Sequence, residues 1–297
     1  MNTPKEPDWN LYRSFLAVLE EGSLSGAARA LALTQPTIAR HIEALEAAVG
    51  FQLFIRSQRG LAATTGALEL KPYVESLAAT SAAMVRAASG QGRVVKGTVR
   101  VSASEIVGAE ILPAILSSLM AQHPQVQIEL VLSNAVDNLL RRDADIAVRM
   151  VEPVHKALVV KRIGSITLGL HAHRSYLERA GVPRTLDSLQ EHSVIGFDRE
   201  TPAIRSMRQR VPGFERIRFS FRTDSDVAQL MAIKAGVGIG ICQVPLARRD
   251  PDLKRVLAGA LELKLGVWIV MHEDLRSIPR CRVAFDGLVV GLKAHVD

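Results

Sequence analysis

Cysteine is scarce in this chain. Only Cys242 and Cys281 occur among 297 residues, with no CxxC pair and no dense His/Cys cluster. That excludes a zinc-ribbon type of metal site and a disulfide framework, and it fits a reducing compartment. Long apolar runs are also missing: none approaches the roughly 18–20 residues that cross a bilayer, so no membrane is expected among the partners. The first ten residues are polar and carry Pro4 and Pro7, without the basic region and apolar stretch of a secretory signal. A cytoplasmic location follows as an expectation. Signatures of catalysis are missing as well. There is no GxSxG, no P-loop, no HExxH and no Cys/His pair at useful spacing. No catalytic residue, metal ligand or cofactor is therefore assigned.

What is present suits a folded chain of about two domains. Hydrophobic residues make up 48% and charged residues 23%, enough to bury a sizeable core. The net charge of +7 is compatible with a nucleic-acid partner. It does not say where that partner binds. Within residues 1–65, Lys5, Arg13, Arg29, Arg40, Arg56 and Arg59 are cancelled by Glu6, Asp8, Glu20, Glu21, Glu43 and Glu46. Helix pattern has to locate the face instead.

Three helices are predicted first. Leu11, Phe15, Val18 and Leu19 recur at helical spacing and Gly22 ends the run. Ala27, Ala28 and Leu31 mark a short second helix. Thr34 opens a third, with Ile38, Ile42 and Leu45 on one face and Gly50 after it. Phe51–Arg56 is short and extended, and Arg59-Gly60 turns back, which suggests a wing hairpin. Residues 66–93 read as one long Ala-rich amphipathic helix, interrupted or kinked near Pro72. It is too long for the N-terminal unit to cover, so its apolar side is expected to pair with a second copy; packing within one chain is the alternative.

Residues 24–46 form the most informative segment. Ala27 and Ala28 let two helices cross closely, and Leu31, Ile38 and Ile42 fill the angle between them. Thr34 is a good N-cap, and Pro36 falls in the first turn, where a missing N–H costs little. This is a helix-turn-helix whose second helix presents Gln35, Thr37, Arg40, His41 and Ala44 outward. Such a helix sets its N-terminal residues against base edges in the major groove of double-stranded DNA. Gln suits adenine and Arg suits guanine; Arg40 can equally meet phosphate. Ser25, Thr34 and Pro36 complete the face. Arg56 and Arg59, on the wing, are assigned to phosphate or the minor groove. His41 reads either as a DNA contact or as a solvated surface residue. The bland alternative for the whole segment is a helical hairpin with Ala/Leu packing.

The chain beyond Lys96 changes character. Strand-like 98–102, helical 106–122, strand-like 126–132, helical 135–142 and the buried strand 145–149 make a βαβαβ order. A second set follows: strand 166–172, helix 175–180, strands 194–197 and 217–223, helix 227–235 and strand 239–242. Strand 263–271 and a helix from about Pro279 close the chain. Two such sets predict two lobes with a cleft. Gly236-x-Gly238-x-Gly240 fails the GxGxxG spacing and precedes a strand, so it reads as a tight helix-to-strand turn.

With these pieces in place, the sequence resembles the LysR-type transcriptional regulators along its full length. The matching residues are Phe15, Gly22-Ser23-Leu24, Ala27-Ala28, Leu31, Thr34-Gln35-Pro36, Leu45-Glu46, Gly50 and Leu53-Phe54-x-Arg56. Further on they are Ile111-Leu112-Pro113, Asp145–Arg149 and Gly236–Ile241 followed by Pro245. The resemblance implies a winged helix-turn-helix over 7–64, a dimerising linker helix over 65–93 and a two-lobed periplasmic-binding-protein-like α/β effector domain over 97–297. Lobe I is expected at about 97–163 plus 268–297, and lobe II at about 164–267. It also implies a homotetramer on two half-sites of operator DNA, a small-molecule effector, and RNA polymerase as a further candidate partner. This chain has Ala39 and His41 where the family often has Ser and Gln. After the wing it has Ala63-Thr64-Thr65-Gly66-Ala67 where the family usually shows Leu-Thr-x-Ala-Gly.

Carried onto this sequence, the family's effector positions are Ser102, Ser104, Ser133, Asn134, Arg149, Phe197, Asp224 and Ser225. Hydroxyls and free N–H groups at helix starts bind anions, open α/β sheets bind ligands at strand C-termini, and Arg149 can pair with a carboxylate. The expected effector is therefore anionic. The competing roles are helix capping for Ser102, Ser133 and Ser225, and an internal ion pair for Arg149. The basic run Arg199, Arg205, Arg208, Arg210, Arg216, Arg218 and Arg222 is a solvated face, a further attraction for an anion, or a contact with a neighbouring subunit. An α/β enzyme with a helical appendage and a solute-binding transport protein remain the other functional classes.

Overall fold

The computed structural model describes residues 6–57, 60–88, 95–134, 144–153, 158–201, 204–206 and 217–296. The expected helix at 135–142, and Arg59, Arg208, Arg210 and Arg216, lie outside these residues. The chain divides into two compact units, one ending at Val85 and the other beginning at Arg86.

The N-terminal unit opens with α1 (Trp9–Glu21), capped by the Asp8 carboxylate and ended by Gly22 in the left-handed conformation. Next come α2 (Leu24–Ala30), capped by Ser23, and α3 (Gln35–Val49), capped by Thr34 and ended by Gly50. Strands β1 (Phe54–Ser57) and β2 (Gly60–Ala63) pair antiparallel with Phe54 opposite Ala63 and form the wing. Phe15, Val18, Ala27, Ala28, Ile38, Leu45 and Leu53 make the core. The wing's root is fixed at two glycines. Leu61 N–H donates to the Gly22 carbonyl at 3.0 Å. Gly60 has φ +118°, and a Cβ there would sit 2.8 Å from that same oxygen. A side chain at Gly60 would thus meet both backbone strain and a clash.

Helix α4 (Thr65–Ala88) runs unbroken through Pro72. The Thr64 hydroxyl accepts from Ala67 N–H and donates to the Gln52 carbonyl, so the departure from the usual family motif still supplies a cap. Val74 is buried in the N-terminal core, whereas Leu68, Tyr73, Leu77, Met84 and Val85 are exposed.

The second unit is built on one seven-stranded sheet. Parallel β4 (Val126–Leu132), β3 (Gly97–Ala103) and β5 (Ile146–Arg149) lie side by side at one end. β5 is buried along its whole length, as the apolar run Ile146–Val148 between covered faces should be, and its last residue, Arg149, is buried with it. The helical stretch after β3 begins as a π-turn at Val107–Ile111 and continues as α5 (Leu112–Gln122). Two long strands, β6 (Leu158–His173) and β11 (Leu263–His272), carry the sheet onward. At its far end β9 (Gly240–Gln243) and β10 (Leu253–Val256) both pair with β6. The β6–β11 register skips Ile163, opposite Val267 and Trp268. A bulge bends a sheet locally, and this one falls where the sequence reading divides the two lobes.

Around the far end lie α6 (Arg174–Ala180), the short parallel pair β7 (Ile195–Gly196) and β8 (Phe221–Arg222), α7 (Asp226–Lys234) and α8 (Val244–Ala247). The C-terminal α9 (Pro279–Lys293) returns to pack on α5. Three expectations are corrected. β6 starts eight residues before the expected strand at 166, β10 was not expected, and the expected strand 217–223 is reduced to β8. The glycine run is a helix-to-strand turn. Gly236 is left-handed after α7, and a Cβ on Gly238 would lie 2.2 Å from the Ser193 carbonyl oxygen.

Candidate functional site

The turn between α2 and α3 brings the first set of candidate residues together. Thr37 N–H donates to the Thr34 hydroxyl at 3.3 Å, and the two threonine hydroxyls lie 2.8 Å apart. Pro36 sits within the first turn, where its missing N–H removes no helical bond. Across the turn, the Ser25 hydroxyl donates to the Gln35 side-chain carbonyl at 3.0 Å. That bond leaves the Gln35 amide group turned outward with two donors. Gln35 and Arg40 are exposed on α3. Arg40 Nε donates to the Pro36 carbonyl at 3.4 Å, which folds its guanidinium back toward the helix N-terminus. Arg56 is exposed on β1 and shares a shallow groove with Ser25, Gln35 and Leu61. A helix N-terminus, amide and guanidinium donors and an arginine on the wing therefore border one concave face.

His41 is the exception. The expectation set it on the outer side of α3, but its ring is half-buried and its Nδ1 lies 2.7 Å from the hydroxyl of Ser14, a fully buried residue of α1. The reason is register. His41 follows Ile38 by three residues and precedes Leu45 by four, which puts it at the edge of the buried stripe. One positioning residue, Glu46, entered the sequence reading only as part of the family match, with no role assigned. The Glu46 carboxylate on α3 accepts from Leu53 N–H at 2.7 Å and Phe54 N–H at 3.3 Å, tying the wing to the recognition helix. Its partners lie beyond the Gly50 turn, so no local pattern announced it.

In the second unit the structure sorts the eight effector candidates into groups. Ser102, at the end of β3, and Arg149, at the end of β5, are buried together. Arg149 Nη2 donates to the Ser102 hydroxyl at 2.8 Å and Nη1 donates to the Val148 carbonyl at 3.1 Å, while Nε has no hydrogen-bond partner. Among the described residues no carboxylate forms an ion pair with Arg149. Burial pushes its pKa down from the ordinary arginine value. Ser104 follows β3 and Ser133 follows β4; both are half-buried, and Ser133 N–H donates to the Ala103 carbonyl.

Asn134 and Ser225 meet across the two halves of this unit, through residues the sequence reading did not select. The Glu105 carboxylate accepts from the Ser225 hydroxyl at 2.8 Å and from Val227 N–H at 3.4 Å. Asn134 accepts from Glu105 N–H and donates to Asp226 at 3.0 Å. Ser225 also caps α7. Asp224 accepts the backbone N–H groups of Asp198 and Arg199 and pairs with the Arg199 guanidinium at 3.2 Å. Phe197 stands apart from these groups. It lines a cavity of about 210 Å³ with Ile195, Ile217, Phe219, Arg222 and Ile241, all in the half that carries α7. Among the described residues, no three His, Cys, Asp or Glu side chains are placed to hold a metal ion, and no helix is long and apolar enough to cross a membrane.

Comparison with known proteins agrees with both halves of this picture. Residues 9–67 match the family model for the bacterial regulatory helix-turn-helix protein, lysR family, and residues 92–289 match the LysR substrate binding domain. An HTH-type transcriptional regulator of Xanthomonas campestris is 30% identical over 304 residues, covering 95% of this chain and 85% of the relative. The fold is shared with the solved structure of CrgA, a LysR-type transcriptional regulator of Neisseria meningitidis, at 23% identity and TM-score 0.61, covering 97% of this chain and 99% of that one. It is also shared with full-length CbnR complexed with its target DNA, at 23% identity and TM-score 0.63, covering 95% and 99%. The chain is a DNA-binding regulator with an effector-binding domain, not an enzyme: it belongs to the LysR family of transcriptional regulators.

Proposed function

We propose that this regulator binds operator DNA through α3 and the wing, and that a small anionic effector held between the two halves of its second unit modulates that binding. The observation that carries the anionic reading is Arg149. A buried guanidinium with one unsatisfied N–H and no counter-charge is costly, and an anion at the strand ends offsets that cost. Ser102, Ser104 and Ser133 supply hydroxyls on the same half, and Phe197, which lines a separate cavity, joins the site only if the two halves rearrange. Asn134, Asp224 and Ser225 join the site only if their present partners release them.

On the DNA side, Gln35, Thr37 and Arg40 read bases, while Ser25, Thr34, Pro36, Arg56 and Arg59 hold the backbone. The DNA complex of CbnR supports that docking by analogy of fold. Residues 7–64, 65–93 and 97–297 then act as reader, dimeriser and sensor in a cytoplasmic homotetramer, with RNA polymerase as a further partner.

The test is a thermal-shift screen of the purified protein against small carboxylates, inorganic phosphate, amino acids and uncharged aromatics, repeated with Arg149→Met. A ligand at 100 times its Kd stabilises by about 2.7 kcal/mol. Carboxylates or phosphate should raise the wild-type midpoint and leave Arg149→Met unmoved. Stabilisation by uncharged or cationic compounds alone would sink the anionic reading.

A further inference from the structure

The contact between the two halves of the second unit contains two carboxylates. Glu105 follows β3, and Asp226 is the first residue of α7. They meet through a single hydrogen-bonded cluster: Ser225 and Val227 donate to Glu105, and Asn134 bridges the Glu105 backbone to the Asp226 carboxylate. Ser225 and Glu105 are 120 residues apart in sequence. The cluster therefore joins the β3–β4 end of the sheet to the α7 end at a place where the chain itself supplies no link.

The two acids are not equivalent. Glu105 takes the donors at the positive end of α7, its N-cap hydroxyl and a free first-turn N–H, both of which favour a charged acceptor. Asp226 has one hydrogen bond, from Asn134, and faces the Glu105 charge. Of the two, Asp226 is the acid that gains from holding a proton.

The geometry points to a proton-operated latch: the Glu105–Asn134–Ser225–Asp226 cluster holds the two halves together when Asp226 is protonated and loosens when both acids are charged.

Burial and the neighbouring Glu105 charge, partly opposed by the Asn134 hydrogen bond, push the Asp226 pKa up from the ordinary 3.8 to about 6. With the latch open, Asp226 returns to its ordinary value. The closed state therefore binds the proton more tightly, and closure is favoured by acid and lost as pH rises through about 6. A shift of about two pKa units corresponds to a roughly 100-fold change in the open-to-closed ratio.

Other charged groups around Asp226 do not reverse this sign. Asp224 is engaged with Arg199. Lys234, at the opposite end of α7, pairs with Glu110 at 4.0 Å. β7 and β9, which pack on α7, carry no charged residue. The part of β6 beside β9 carries only His171, and burial holds that ring neutral with its pKa down at about 4. The latch needs neither DNA nor the anionic effector, so its success or failure is separate from the function proposed above.

The experiment is hydrogen exchange by mass spectrometry on the full chain, following peptides that span residues 224–234 between pH 5 and 8, with exchange rates corrected for their intrinsic pH dependence. In the wild type, α7 opening should increase about 10-fold across this range, the part of the roughly 100-fold coupling that lies above pH 5, and level off with its midpoint near 6. Asp226→Asn, an uncharged isostere, should stay at the low-pH level throughout. Glu105→Gln keeps acceptors for Ser225 and Val227 but removes the repelling charge, so it should move the midpoint toward lower pH. A flat wild-type profile overturns the latch. So does an Asp226→Asn profile with the wild-type slope, or an unchanged midpoint in Glu105→Gln.

Discussion

The Ser14 hydroxyl lies 2.7 Å from His41 Nδ1, and this bond joins the first helix to the recognition helix inside the N-terminal core. Ser14 is fully buried. Removing it leaves a half-buried imidazole nitrogen without a partner, at a cost of about 1–3 kcal/mol. Ser14→Ala should therefore speed hydrogen exchange of α1 and α3 amides by about 5- to 30-fold for each 1–2 kcal/mol lost. The double variant Ser14→Ala/His41→Leu removes both polar partners and should recover most of the loss. Unchanged exchange in Ser14→Ala would mean that the bond contributes nothing to the domain.

With His41 turned toward α1, the proposed base reading rests on Gln35, Thr37 and Arg40. Arg40→Ala should weaken operator binding by about 1–3 kcal/mol and relax preference at one base position, if the guanidinium meets a guanine. Arg56→Ala should instead weaken binding evenly across sequences and lower the slope of log affinity against log salt by about 1. Gel-shift titrations at several salt concentrations, on a site near the protein's own gene and on randomised variants of it, separate the two. An unchanged base preference in Arg40→Ala would remove Arg40 from the reading set.

Much of this interface was legible because its determinants are local. Ala27-Ala28, the Thr34 cap and Pro36 act within one turn of where they stand, and the structure has the helices they announce. His41 was legible too, since the Ile38–Leu45 stripe passes its position, but a polar residue at the edge of an apolar stripe reads as surface. In the sheet, Lys161, Arg162 and Gly164 hide the first half of β6, and Asp250-Pro251-Asp252 before Leu253 hides β10. Both strands exist because β6 finds partners on either side, a tertiary effect that no window of sequence contains. The Glu105–Ser225 contact is less legible still. Each residue is an ordinary polar residue near a helix start, and only the fold makes them neighbours.

The exposed side of α4 carries the next prediction. Tyr73 is 75% exposed, and Leu77 and Met84, four and eleven residues further on, are exposed on the same face of the helix. Apolar side chains in such a row are what a helix–helix dimer buries, each contributing about 1.5–3 kcal/mol when fully covered. Tyr73→Glu/Met84→Glu should shift the protein toward monomer in light scattering and weaken operator binding, while far-ultraviolet circular dichroism stays unchanged. A variant that remains the same size as the wild type would assign dimerisation to another surface.

Acid stability separates two buried groups whose effects oppose each other. Burial, aided by the charge of Arg255, lowers the His171 pKa from the ordinary 6.5 to about 4, against the Gly169 carbonyl hydrogen bond that raises it. The unfolded chain takes up a proton at this residue below pH 6.5 and the folded chain does not until about 4. Its contribution is therefore complete above 6.5 and is lost as pH falls toward 4, by about 3 kcal/mol. Asp226, raised from 3.8 to about 6, has the opposite sign in nearly the same window: the folded chain binds the extra proton, and stability falls as pH rises through 6. The wild-type profile between pH 4 and 6.5 should consequently be flatter than either group alone would give. His171→Leu should make the protein lose stability more steeply as pH rises across this window. Asp226→Asn should make it lose stability more steeply as pH falls. Thermal midpoints measured at half-unit pH steps test both signs at once, and slope changes in the same direction in the two variants would contradict the assignment.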